Sequence, residues 1–155
     1  MSVTIRIAGL EKLQAGVAAG PATLAREVRT ALVAGSRLVE ATQRELAPRF
    51  SGELIASVAT TISGGGASIT ANIGPRVSYA IYVERGRGPG RPPPVSAIEP
   101  WARAKGINPY LLARAIGRRG TKPRPFVAPS LAQNQARIIA LFKNVGAVTV
   151  MRMAG

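Results

Sequence analysis

Residues 21–73 read PATLAREVRTALVAGSRLVEATQRELAPRFSGELIASVATTISGGGASITANI, and within them the apolar spacing changes from a helical period to a strand period. Leu24, Val28, Ala31, Leu32, Leu38, Val39 and Leu46 recur near i, i+4, i+7 and i+8, while Arg26, Arg29, Arg37, Glu40, Arg44 and Glu45 take the opposite side. This pattern predicts one helix from Pro21 to Ala47, about 40 Å long at 1.5 Å per residue. Pro21 suits its first turn and Pro48 ends it; Gly35, mid-way, weakens it by up to about 1 kcal/mol relative to Ala. The segments Leu54 to Ile62 and Ala67 to Ile73 are then rich in Ile, Val, Thr and Ser on either side of Gly64-Gly65-Gly66. They predict a hairpin whose strands start near Ser57. The expected fold class is α+β: a small antiparallel sheet packed against the long N-terminal helix and a C-terminal helix, with a Pro/Gly/Arg-rich loop.

Outward from this centre, Val3, Ile5 and Ile7 alternate with Thr4 and Arg6 and predict a short strand ended by Gly9, followed by a short helix from Leu10 to Ala19. Beyond the hairpin, Val77 to Val83 reads as a third strand. Arg85 to Pro94, RGRGPGRPPP, places four Pro and three Gly in ten residues and is expected to be an exposed, flexible basic arm. Ser96, with Glu99 three residues on, has the form of a capping box opening a helix that ends near Gly106, and Pro109 to Gly117 forms another. A last helix starts near Pro129-Ser130 and turns Leu131, Ile138, Ile139, Leu141, Phe142 and Val145 to the core, with an edge strand expected over Ala147 to Met153. At 155 residues, 1–155 is expected to be a single domain.

The composition excludes function classes. The chain has no His, no Cys and no Asp, so it lacks the parts of Ser-His and Cys-His nucleophile pairs, of Cys/His zinc sites and of histidine proton shuttles. No enzymatic activity, cofactor or metal is expected. No stretch is apolar enough to span a bilayer, and the first twenty residues carry Glu11 and two basic side chains, so neither a membrane partner nor a secretory segment is expected. The net charge is +14, a strong field for a folded chain of this size, which exposes roughly 7,000 Å². Residues 1–75 hold seven basic and five acidic side chains, whereas residues 76–155 hold fourteen basic and two acidic ones. Ten Lys/Arg against the single Glu99 lie between Arg85 and Arg124.

Within that basic half, Gly86 to Gly90 (GRGPG) has the glycines of a phosphate-cradling loop, but no helical pattern follows and no GK[ST] is present, which argues against nucleotide binding. Arg85, Arg87 and Arg91 could pair with nucleic-acid phosphates. Tyr79, Tyr82, Trp101 and Tyr110 stand at helix or strand spacing, which suits core or interface better than base stacking. Glu84, at an expected strand end amid arginines, is expected to form a structural ion pair, and Glu99 to complete a helix cap.

Three segments together resemble a known family. Pro48-Arg49-Phe50-Ser51-Gly52-Glu53-Leu54, followed by Ser57, is similar to the turn after the first long helix in neck and tail-completion proteins (head-tail joining, minor tail components) of long-tailed bacteriophages. Tyr79-Ala80-Ile81-Tyr82-Val83-Glu84-Arg85-Gly86 resembles that family's YAxYVExG signature, and Arg124-Pro125-Phe126 through Leu131 its RPFxxPAL close. Arg87 stands where the family has Thr, and the arm lengthens the following loop. The resemblance spans roughly residues 3–145 and implies a structural virion protein of the neck or proximal tail, made in the host cytoplasm. Its implied partners are further copies of itself in a sixfold ring and the neighbouring head-closure, connector and tail tube proteins. Nonspecific contact with the DNA in the channel stays open, as does the alternative of a basic nucleic-acid-binding protein. Gly52, Leu54, Tyr79, Tyr82, Glu84, Gly86, Pro125 and Phe126 are the motif residues to locate in space, together with the arm arginines. Phe126 is expected to anchor the last helix in the core or in a subunit groove.

Overall fold

The computed structural model describes residues 1–7, 21–49, 52–65 and 68–154. The expected helix over Leu10 to Ala19 lies outside them. Helix α1 (Pro21–Leu46) occupies the predicted range and buries Leu24, Val28, Ala31, Leu32 and Val39. The hairpin forms as β2 (Val58–Gly65) and β3 (Ser68–Pro75), preceded by the one-turn helix α2 (Glu53–Ser57). The third strand of the sheet is β1 (Val3–Ile7), which pairs antiparallel with β3, so the order is β1-β3-β2 with β3 in the centre.

The register follows from the alternation. Ile5, Ala71 and Ile62 lie side by side across the three strands, as do Val3, Ile73 and Thr60, and these rows turn toward the helices. Thr4, Thr61, Thr70 and Asn72 occupy the other face, where the Thr4 hydroxyl donates to Asn72 Oδ1 at 2.7 Å. A two-layer α+β domain results. Helix α6 (Val127–Ala154) lies along α1, and Ile138 joins Leu24, Val28, Leu32, Val39, Ile69, Ala71 and Ile73 in the main core. Gly35 is the point of close approach: a Cβ there would stand 3.4 Å from Ile138 Cγ1. Asn134 fixes the helix register by donating to Thr42 Oγ1 and to Ser130 O, both at 2.8 Å. Arg44 pairs with Glu40 at 2.7 Å and donates to Val58 O at 2.8 Å, while Thr60 donates to Glu40 at 2.6 Å, tying α1 to β2.

Four expectations about these elements are corrected. Val77 to Val83 is not a strand: a turn leads into helix α3 (Ala80–Arg85). A helix stacks positions four apart, burying Ala80 and Glu84 together while Tyr82 turns outward; a strand would have sent all three to one side. Ser96 caps nothing, because α4 (Val95–Ala104) begins one residue earlier with Pro94 at its N-cap, and Glu99 pairs with Arg103 across one turn at 2.6 Å. The last helix starts at Val127, close to the expected Pro129-Ser130, but it turns Ile139 outward rather than to the core. It also continues through Ala154, so Ala147 to Met153 adds no edge strand. Once a helix is nucleated each further residue adds a hydrogen bond, and this outweighs the weak strand preference of Val148, Thr149 and Val150. Helix α5 (Pro109–Arg119) begins as expected, with the Asn108 side chain accepting from Tyr110 and Leu111 N–H at 2.9 and 3.3 Å.

Candidate functional site

A second, smaller core lies beside the first and gathers Val3, Ala47, Leu54, Ala80, Phe126 and Val127. Leu54, Ala80 and Phe126 come from three motifs far apart in the sequence, and Phe126 is the largest fully buried side chain among the described residues. Gly52 precedes Leu54 in the left-handed conformation, φ 78°, where α2 begins.

Glu84 closes this arrangement. Its side chain is buried beneath the start of α6, where Oε2 accepts from the N–H groups of Phe126 and Val127 at 2.7 and 2.9 Å and Oε1 accepts from Ala128 at 3.0 Å. The first four N–H groups of a helix have no partner within it. Here three are taken by one carboxylate from another element, and the fourth position is Pro129, which has none. Phe126, in the N-cap position, has no side-chain acceptor of its own, so the cap comes from 42 residues upstream. A negative group at this end also complements the dipole of a 28-residue helix. The expected ion pair of Glu84 with arginines is therefore corrected: its partners are backbone amides.

Gly86 follows at φ 70°, and a Cβ there would lie 2.5 Å from Thr121 O and 2.9 Å from Pro123 N, so only glycine lets the two segments approach. Backbone hydrogen bonds continue the contact. Arg124 N–H donates to Val83 O at 2.8 Å, Arg87 and Thr121 exchange bonds at 3.1 and 2.8 Å, and Gly90 N–H donates to Gly117 O at 2.8 Å. The arm from Arg85 to Pro94 is thus largely exposed yet laced to residues 117–124, and the Arg87 and Gly90 amides are aimed at carbonyls rather than toward an anion. Pro125 sits exposed between the bonded Arg124 and buried Phe126.

Outside this clasp the basic half is open. Tyr82 is 53% exposed and the Arg87 guanidinium stands over its ring, 5.7 Å from the centroid. Tyr79 donates its hydroxyl to Glu53 at 3.2 Å; partial burial first, and then the Glu53 carboxylate, push its pKa above the ordinary tyrosine value. Arg85 and Arg91 are exposed. Helices α4 and α5 pack on each other through buried Ala102 and Ala113, and they leave Trp101, Ile107, Tyr110 and Leu111 exposed near the turn that joins them. Tyr110 and Leu111 are the most open of these at 72% and 65%. The sequence reading singled out Tyr110 but missed Leu111 and the arginines beside it; their helical spacing was the available signal.

Of the expected site residues, Leu54, Glu84, Gly86 and Phe126 converge in the clasp, and Tyr82 meets Arg87 on the surface. No helix among the described residues is long and apolar enough to cross a membrane. No family model, no curated protein and no solved structure matches this chain.

Proposed function

We propose that this chain is a structural, non-catalytic subunit of the head-to-tail connector of a tailed phage, in the neck or tail-terminator ring. The observation that carries the reading is the convergence of its three family-like motifs. Leu54, Glu84 with Gly86, and Phe126, which lie in separate stretches of sequence, meet in one clasp, and this gives a physical reason for the motifs to occur together. Among the described residues large apolar side chains such as Tyr82, Tyr110 and Leu111 stand open, as suits a subunit completed by neighbours.

In this reading the protein closes a sixfold ring, as long tails of this type are sixfold, and contacts head-closure, connector and tail tube proteins within the virion. Cryo-electron microscopy of virions, or of the protein mixed with the tail tube protein, should reveal a ring of copies at the head-tail joint. One copy per particle, or none, overturns the proposal. A second reading, nucleic-acid binding, draws on the exposed cations of residues 85–124, where the one acid, Glu99, is already paired with Arg103.

A further inference from the structure

Helix α5 presents an unusual outer face. At 3.6 residues per turn Tyr110, Arg114, Arg118 and Leu111 fall within an arc of about 100°. Leu112, Ala113 and Ile116, all less open, lie on the opposite side, with Ala113 buried. The four outward side chains are all exposed. Two are large and apolar, in the first turn, and two are cationic, in the turns that follow, with no acid on the helix. The helix hairpin beneath them has a small core of its own: from Arg85 to Pro125 only Ala102 and Ala113 are buried. Exposed Trp101 and Ile107 flank the same end.

We infer that the outer face of α5 is a docking helix for an acidic, apolar-floored groove on a different protein. Charge selects the occupant. Nine of the ten cations between Arg85 and Arg124 have no acidic partner inside that segment, since Glu99 is taken by Arg103, and a second copy, itself at +14, would bring net positive charge to this face. Leu111 is the member that selects against nucleic acid: unlike the Tyr110 ring it offers no face on which a base can stack, and phosphates gain nothing from covering it. A helix with Tyr and Leu at i and i+1 and Arg at i+4 and i+8 fits a groove with a greasy floor under its first turn and carboxylates beyond it, where the aromatic and aliphatic residues supply affinity and the arginines set orientation and encounter rate. This inference does not depend on the connector reading, and its test needs no phage.

The test uses the full chain and three labelled probes in fluorescence anisotropy at about 150 mM salt: an amphipathic Glu/Leu helical peptide, poly-glutamate of equal charge, and a short DNA duplex. The Glu/Leu peptide should bind tightest. Tyr110→Ser with Leu111→Ser, and separately Arg114→Ser with Arg118→Ser, should each weaken it by about tenfold or more; all four positions are on the surface, so the melting temperature should hold. Equal binding of poly-glutamate and the Glu/Leu peptide, or indifference to the Tyr110/Leu111 pair, overturns the inference. Tighter DNA binding that needs the arginines but not Tyr110 and Leu111 assigns the face to nucleic acid instead. Self-association abolished by the Tyr110/Leu111 pair, read by sedimentation, assigns it to a second copy.

Discussion

Replacing Glu84 by Gln preserves the shape of the side chain but exchanges one acceptor oxygen for a donor, so at least one of the Phe126, Val127 and Ala128 amides loses its partner. An orphaned buried donor costs about 1–3 kcal/mol, and losing the charge at the helix start adds up to about 2 kcal/mol. Urea unfolding of Glu84→Gln should show a lowered midpoint with an unchanged slope; a midpoint equal to that of the parent chain would mean that the cap contributes nothing. Phe126→Ala, at a fully buried position, should cost about 3–5 kcal/mol, read the same way. Tyr79 offers a test by pH. Its pKa is raised in the folded state by burial and by Glu53, so its contribution to stability is complete below the unfolded tyrosine value and is lost as pH rises through the folded one. Ultraviolet titration should show a tyrosine step above the ordinary tyrosine value, and Tyr79→Phe should remove that step.

Among the elements, α1, β3 and α6 share the main core, whereas α4 and α5 bury only Ala102 and Ala113 completely, with Ile98, Leu112 and Ile116 half-buried, and are tied to the arm by backbone bonds. Few buried apolar contacts mean low local stability. Hydrogen exchange read by mass spectrometry should therefore find the amides of α4 and α5 exchanging well before those of β3 and the middle of α1. Equal protection in the isolated protein would contradict the view of the helix hairpin as an element awaiting a partner. Helix α3 illustrates how an element serves another: its turn exists to carry Ala80 into the small core and Glu84 to the start of α6.

For the molecule as a whole, the field of a +14 chain guarantees weak nonspecific attraction to DNA, which salt removes, so low-salt binding decides nothing. The discriminating variant replaces Arg85, Arg87 and Arg91 with Ser. Under the connector proposal, head-tail joining in extracts fails while no sequence-selective DNA binding is seen at about 150 mM salt. Selective DNA binding that vanishes with the three arginines, with joining intact, would favour the nucleic-acid reading. The backbone bonds of Arg87 to Thr121 do not involve the side chain, so the arm's tether should survive the substitutions.

The sequence by itself determined the α1 helix, the β2–β3 hairpin and β1, because a helical or strand period sustained over a whole element leaves one way to bury its apolar side. It also determined that the charge lies in the second half and that His, Cys and Asp chemistry is absent. Tertiary structure decided the rest. Val77 to Val83 has strand-forming residues, but the segment coils into α3 where Ala80 and Glu84 must face inward together. The pairing of β1 with β3 joins residues up to seventy positions apart, as for Val3 and Ile73, and no local pattern specifies such a partner. The role of Glu84 was hidden for the same reason: a carboxylate among arginines looks like half of an ion pair until the fold brings the bare N-terminus of another helix to it, and three amides at hydrogen-bonding distance then outcompete the solvated guanidinium groups nearby.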